Sequence, residues 1–138
     1  MANAIYPLFK QEILKGTANN LLNSAEGATG VYAALVDTGT YTYSAAHQFY
    51  SSLSGVVGTD QEILTKTQVT GTFDGTDLTY TAVTGASVEA IVLYRKNAGA
   101  NTTWPLIAYI DTSVTGLPVT PNGGNITITW NASGIFTI

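Results

Sequence analysis

Threonine alternates with apolar residues through much of this chain, and that pattern most strongly restricts it to a β fold. The 138 residues include 22 threonines. Thr is β-branched, stiff at χ1 and suited to a pleated surface. The clearest alternation follows a Pro-Asn-Gly-Gly turn, where Ile126, Ile128 and Trp130 are separated by threonines. A chain of this length is about one domain, so we predict a single β-rich domain over residues 1–138.

Other segments fill out the predicted sheet. Continuous apolar runs are typical of central strands buried on both faces, and alternating runs of strands with one solvated face. The continuous runs are Val31–Val36, 88–94 and Leu106–Ile110; the alternating or weaker ones are 63–69, 78–82 and 135–138. About eight short strands separated by turns predict an antiparallel β-sandwich or a partly closed barrel.

Only the N-terminal segment has a good helical pattern, over residues of about 5–15. Its apolar arc contains Tyr6, Leu8, Phe9 and Ile13, and Gly16 is a plausible end. A helix this short is not stable alone, so its apolar face must cover either the protein's own sheet or a neighbouring molecule. Both alternatives stay open, and the second makes this face a candidate interface. Ser44 predicts the start of a possible short second helix through residue 50.

Composition excludes several functions. The chain has no cysteine, so disulfides, thiolate zinc sites and thiol nucleophiles are excluded. Only 10% of residues are charged and the net charge is −4. Lys10, Lys15 and Lys66 are scattered and Arg95-Lys96 is a single pair, so no nucleic-acid surface is expected. The N-terminus does not resemble a signal peptide, and no apolar run is long enough for a bilayer. We therefore expect synthesis in a cytoplasm and no membrane partner.

One short motif resembles an active-site loop. Apolar residues lead into Asp37-Thr38-Gly39, as in retroviral-type aspartic proteases, where two such loops share a proton across a dimer axis. That family also places a late apolar run that ends in Gly, and the late runs of this chain do not. A strand that ends in a turn explains the motif more simply, because Asp and Gly are both favoured there.

The other candidate chemical groups are few. His47 is the only histidine, and no nucleophile elbow accompanies it, so we expect a polar position on a short helix. Asp74-Gly75-Thr76-Asp77 has too few oxygen ligands at calcium-site spacing and is expected to be an ordinary turn. Trp130 alternates with core residues and is expected to be buried. Trp104, next to Pro105, has no such pattern and remains a candidate binding residue. We predict no catalytic residue, metal ligand or cofactor, and hence no enzyme.

With these segments laid out, the chain resembles a family of small virion structural proteins of tailed bacteriophages. The resemblance covers nearly the whole chain, and the order of the blocks is more specific than any one of them. The blocks are residues 1–6 with Phe9-Lys10, residues 31–40 running into Ala46-His47-Gln48-Phe49, Phe73-Asp74 before an alternating strand, residues 88–96, residues 106–111, residues 122–130 and the ending Gly134-Ile135-Phe136.

The resemblance implies a part of the virus particle, and we favour a capsid decoration, or cement, protein on the outer capsid surface. It implies the major capsid protein and further copies of the same chain as partners, for example in a trimer. An acidic, Lys-poor chain suits the outside of the shell, away from packaged DNA. Candidate interface residues are Tyr6, Leu8, Phe9, Ile13 and Trp104. The family carries no catalytic motif.

Three other functions remain as alternatives. The chain can be a tail or head–tail connector subunit, which copy number in purified particles would distinguish from a decoration protein. It can be a host-surface or carbohydrate-binding module, which predicts exposed Trp104 and tyrosine side chains. The remote alternative is an aspartic protease that acts through Asp37.

Overall fold

The chain folds into three antiparallel sheets and one short α-helix. The structure, a computed structural model, describes residues 2–17 and 25–138. The helix is α1 (Pro7–Leu14). The strands are β1 (Ala4–Ile5), β2 (Val31–Val36), β3 (Val56–Glu62), β4 (Thr67–Val69), β5 (Thr72–Asp74), β6 (Leu78–Tyr80), β7 (Ala90–Arg95), β8 (Leu106–Ile110), β9 (Ile126–Ile128) and β10 (Phe136–Thr137).

The largest sheet has five strands in the order β1-β8-β7-β2-β3. Its central strands are buried on both faces, which is why their sequences are continuous apolar runs. The smaller sheets have the orders β10-β5-β4 and β6-β9. The β6-β9 pair is fastened to the large sheet where the Tyr80 hydroxyl donates to the Ala33 carbonyl oxygen at 2.9 Å. The predicted single-domain, mainly β, sandwich-like architecture is thus confirmed, and the described residues form no closed barrel.

The N-terminal helix is also confirmed, one turn shorter than predicted. Pro7 occupies its first turn, where the missing N–H is not needed. Gly16 ends it with φ of +72°, a conformation that costs glycine little. The predicted loop between residues 16 and 30 lies partly outside the described residues.

The predicted second helix after Ser44 is wrong. Residues 45 and 46 form a turn in which the Ala46 N–H donates to the Ser44 hydroxyl, and only a 3₁₀ turn, Tyr50–Ser52, follows. The reason is tertiary pairing. The Tyr50 N–H donates to the Trp104 carbonyl oxygen, and the Gln48 carbonyl oxygen accepts from the Leu106 N–H. These backbone groups bond to the segment before and at the start of β8, and are therefore not free to form an intrahelical ladder.

The strand predicted over residues 63–69 is displaced. Ile63 follows β3, and only Thr67–Val69 forms a strand, β4. The sequence pattern missed β3, because a glycine and four polar residues follow its two valines. Within it Gly58 has φ of +74°, and the register with β2 shifts between Ala33 and Leu35. This irregularity bends an edge strand and sets the position of Asp60.

Candidate functional site: an aromatic groove around Asp60

The residues of the predicted helix face turn inward. Tyr6 and Phe9 are buried in the core, with Phe9 only 1% exposed, while Leu8 and Ile13 are half-buried. The Tyr6 N–H donates to the Ile107 carbonyl oxygen at 3.0 Å, so the helix is joined directly to β8. The face therefore covers the protein's own sheet, the first of the two alternatives. Tyr6 and Phe9 are not accessible to a partner.

Trp104, the remaining candidate, lies in a groove of aromatic side chains. Its indole ring is parallel to the Tyr94 ring, with centroids 5.8 Å apart and an interplanar angle of 8°. The Tyr50 ring meets the indole ring edge-on at 5.4 Å. The groove has a volume of about 370 Å³. We call it the aromatic groove, and its principal residues are Tyr32, Tyr50, Asp60, Tyr94, Lys96 and Trp104.

Sheet register brings these rings together. Tyr32 on β2 and Tyr94 on β7 are direct cross-strand partners, and their rings stack at 5.9 Å. Tyr94 also pairs with Leu106 of β8, two residues after Trp104. Tyr50 reaches the groove because its neighbour Phe49 forms a β-bridge with Pro105. Four rings from distant parts of the chain thus meet at one end of the five-stranded sheet.

Asp60 is the polar centre of the groove. Its Oδ2 atom accepts hydrogen bonds from the Tyr50 hydroxyl at 2.9 Å and the Tyr94 hydroxyl at 2.8 Å. Its Oδ1 atom is buried and accepts no hydrogen bond from any described residue. Burial raises the pKa of the Asp60 carboxyl above its ordinary value, while the two tyrosine hydrogen bonds and the Lys96 charge act in the opposite direction.

The same environment changes the pKa of the two tyrosine hydroxyls. Burial first, and then the nearby Asp60 charge, raise the pKa of both the Tyr50 and the Tyr94 hydroxyls. Both hydroxyls therefore stay protonated near neutral pH and act as donors. A buried carboxylate oxygen without a donor is uncommon in folded proteins and carries a free-energy cost. The groove therefore holds an acceptor whose hydrogen-bonding capacity is only half used.

Lys96 balances the charge of Asp60. Its Nζ atom lies 5.2 Å from the centroid of the Tyr32 ring and 5.3 Å from that of the Trp104 ring, as in a cation–π contact. One ammonium group and one carboxylate share the groove. With both ionised, the formal charge of these two groups sums to zero.

Replacing Asp60 with Asn is expected to change how the free energy of unfolding depends on pH. Because the folded-state pKa of Asp60 lies above its ordinary value of 3.8, ionisation costs more in the folded protein. This contribution to stability is fully present below the unfolded pKa and is lost as the pH rises through the folded pKa. The stability of Asp60→Asn relative to wild type should therefore increase as the pH rises above about 4.

Urea denaturation at several pH values measures this difference. Tyr50→Phe is the control, because it removes one of the hydrogen bonds that lower the pKa of Asp60. The Tyr50→Phe variant should show a larger loss of stability with rising pH than wild type. A relative stability of Asp60→Asn that falls as the pH rises would contradict the assignment.

The protease-like motif forms a closed turn. Asp37 Oδ1 accepts from the Gly39 N–H at 2.8 Å, and Oδ2 accepts from the Thr40 hydroxyl at 2.9 Å. The Thr38 N–H and hydroxyl both donate to Glu89 Oε2. Each oxygen of Asp37 is thus bonded within its own loop, the arrangement of a strand-end turn.

The other candidate chemical groups are also bonded within the structure. His47 Nδ1 lies 2.9 Å from the Tyr41 hydroxyl, which is 2.8 Å from the Tyr6 hydroxyl. In the predicted turn at residues 74–77, Asp77 Oδ1 accepts from the Trp130 N–H at 3.0 Å. Among residues 2–17 and 25–138, no group of three or more His, Asp or Glu side chains is placed to hold a metal ion.

A second surface lies on the three-stranded sheet. All three residues of β4 are exposed and uncharged, and β4 pairs with β5 along one side only. Val69, at its end, is 61% exposed, and so is Ile138, whose N–H donates to the Gly71 carbonyl oxygen. Leu64, shortly before β4, is also exposed. We call β4 together with Leu64 and Val69 the β4 edge; Ile138 follows β10, on the opposite side of β5.

The sequence predicted only part of these surfaces. Trp104 was identified from its position next to Pro105, but Asp60 was not, because its partners come from elsewhere in the chain. The one available signal was the pair of tyrosines, Tyr32 and Tyr94, within otherwise aliphatic central strands. A tyrosine within an apolar strand indicates a position where the phenol hydroxyl has a hydrogen-bond partner.

No protein-family model matches the chain, and no curated protein matches it significantly. None of the helices in the described part of the chain has the length and apolar character needed to cross a bilayer.

Proposed function

We propose that this protein is a structural subunit of a virus particle, a capsid decoration protein that binds the outer surface of the shell. The observation that carries the proposal is the β4 edge. Natural proteins usually protect an edge strand by keeping it very short, or with charged side chains, proline or a covering segment. Here β4 presents Thr67, Gln68 and Val69, all exposed and none of them charged. Such an edge can add a strand from another chain by main-chain hydrogen bonds.

The exposed apolar side chains add a second contribution. Two of the four large apolar side chains exposed in the described residues, Leu64 and Val69, belong to the β4 edge. Burying them against a partner removes apolar surface from water, a gain of about 25 cal/mol per Å². A stable interface buries roughly 800 Å² on each partner, so a three-residue strand is only its centre. Several copies on a symmetric shell gain further affinity by avidity.

The composition of the chain is consistent with this position. A charged content of 10% leaves little electrostatic repulsion between neighbouring subunits. The net charge of −4 favours the outside of the shell over contact with packaged DNA. The major capsid protein and further copies of the chain are the proposed partners. The resemblance to small virion proteins of tailed bacteriophages points to the same role.

Replacing Val69 with Asp is expected to reduce binding to purified, expanded shells by about tenfold or more. The substitution places an unpaired charge in the centre of the proposed interface, and its exposed position should leave the fold intact. Leu14→Asp is the matched control, because Leu14 is 89% exposed at the end of α1 and is not part of the β4 edge. Co-sedimentation of each variant with shells measures the bound fraction.

Equal binding of Val69→Asp and wild type would assign the contact to another surface.

The cement role has its own test, because particles that lack the protein should release DNA at a lower temperature. If depleted particles resist heat as well as complete ones, the protein does not stabilise the shell. Copy number separates decoration from the tail or connector alternative: hundreds of copies per particle indicate decoration, and a few dozen or fewer indicate a tail or neck.

A further inference from the structure

The aromatic groove shares no residue with the β4 edge. Its rings are held rigidly, because the Trp104 indole N–H donates to the carbonyl oxygens of Asn97 and Gly99 at 3.1 and 3.0 Å. Tyr50 and Tyr94 are fixed through their hydroxyls on Asp60. Hydrogen bonds therefore orient these rings at a groove that opens to solvent. Rings oriented in this way are typical of a ligand-binding surface.

The polar groups of the groove specify the kind of ligand. Asp60 offers an acceptor, Oδ1, that no described residue uses. Lys96 offers ammonium donors above Tyr32 and Trp104. Donors and an acceptor beside ring faces suit a molecule that carries many hydroxyl groups and an apolar C–H face. A sugar ring combines both.

We propose that the aromatic groove binds a neutral saccharide. The C–H face of the sugar stacks on the rings of Trp104 and Tyr32, whose π faces are electron-rich. Asp60 Oδ1 is buried in the free protein, so movement of Lys96 must expose it before a sugar hydroxyl can donate to it. Another sugar oxygen accepts from Lys96 Nζ. Lys96 now covers the two rings and moves aside when the sugar binds. A single cation–π contact at a solvent-accessible site is weak, so this movement costs little.

The charges of Lys96 and Asp60 disfavour cationic and anionic ligands, and the volume of the groove limits the size of a neutral one. A cationic ligand would meet Lys96 over the same ring faces, and an anionic ligand would meet the Asp60 carboxylate. The groove, at about 370 Å³, lies at the lower end of the range for small-molecule sites, which begins near 300 Å³. It therefore fits one or two sugar units and leaves a longer glycan to extend into solvent. The inference does not depend on the capsid role, since a glycan can be bound on or off a particle.

The test is a saccharide panel read by saturation-transfer NMR and by tryptophan fluorescence. The probes are glucose, galactose, N-acetylglucosamine, cellobiose and lactose, with glucosamine and sialic acid as the cationic and anionic controls. At least one neutral sugar should bind saturably with a Kd of about 1 mM or below. Pull-down on insoluble cellulose and chitin then shows whether the source is a surface glycan or a free sugar.

Trp104→Ala should weaken binding of the best neutral sugar by about tenfold or more, and Asp60→Asn by about fivefold. Tyr43→Ala is the matched control, because Tyr43 is a half-buried ring outside the groove. The affinity of this variant for the same sugar should stay within about twofold of wild type. Trp104→Phe, which keeps a ring, should bind more tightly than Trp104→Ala and provides the comparison if the alanine variant unfolds. The proposal is overturned if no neutral sugar binds, if a charged control binds best, or if neither Trp104 variant changes the affinity.

Discussion

Replacing Gly116 with Ala should lower the free energy of unfolding by about 2–6 kcal/mol. A Cβ atom at this position would lie 2.3 Å from the Thr127 carbonyl oxygen and 3.1 Å from Ile128 Cδ1. The first contact is with the backbone of β9, which cannot move without disturbing its pairing with β6. Gly116 also has φ of +112°, a backbone conformation that residues other than glycine rarely adopt. Steric overlap and backbone strain therefore act together.

Gly123→Ala separates the two causes. Gly123 has φ of +86°, but the nearest atom to its added Cβ is a Thr84 methyl at 4.0 Å. Only backbone strain applies there, so the expected loss is about 1–2 kcal/mol. Urea denaturation followed by circular dichroism measures both variants. If the two variants lose the same stability, the close approach of residue 116 to β9 is not present in solution.

The second large effect is expected for Leu93→Ala, with a loss of about 2–5 kcal/mol. Leu93 is fully buried at the centre of β7, and its cross-strand partners are Ala33 on β2 and Ala108 on β8. A large side chain between two alanines fills space that neither neighbour can reach. Truncation leaves a cavity in a rigid sheet that cannot collapse to close it.

Leu14→Ala is the matched control for this experiment. It makes the same chemical change at a residue that is 89% exposed, and alanine favours a helix at least as well as leucine. Its effect on stability should stay within about 0.5 kcal/mol. Thermal and urea denaturation of both variants test the prediction, and equal effects would show that β7 is not the centre of the core.

The strands that could be predicted from the sequence are those whose surroundings are uniform. Val31–Val36 and Leu106–Ile110 are buried on both faces, so every position is apolar and the run is visible without further information. β3 was missed because it is an edge strand, with Gly58 in a left-handed conformation and polar residues after it. Its strand character comes from pairing with β2, which local sequence does not record.

Prediction of the groove was limited in the same way, because some of its residues depend on local sequence and others on long-range contacts. Trp104 could be suspected from its own neighbourhood, but Asp60 acquires its environment from Tyr50 and Tyr94, which are 10 and 34 residues away. The helix predicted after Ser44 failed for a related reason, since the backbone bonds there to the segment before β8. Tertiary pairing overrides weak local preference at such positions.

The order of the large sheet also has a consequence for biosynthesis. The side-chain oxygen of Asn3, next to β1, accepts from the N–H groups of Asp111 and Thr112, more than a hundred residues further along the chain. β2 likewise lacks one of its two neighbours until β7 exists. The sheet therefore cannot close before residue 112 has left the ribosome, and the apolar β2 remains open to wrong pairings until then. Folding should accordingly be slow and mostly post-translational, and crowded nascent chains are the stage at which misassembly is most to be expected.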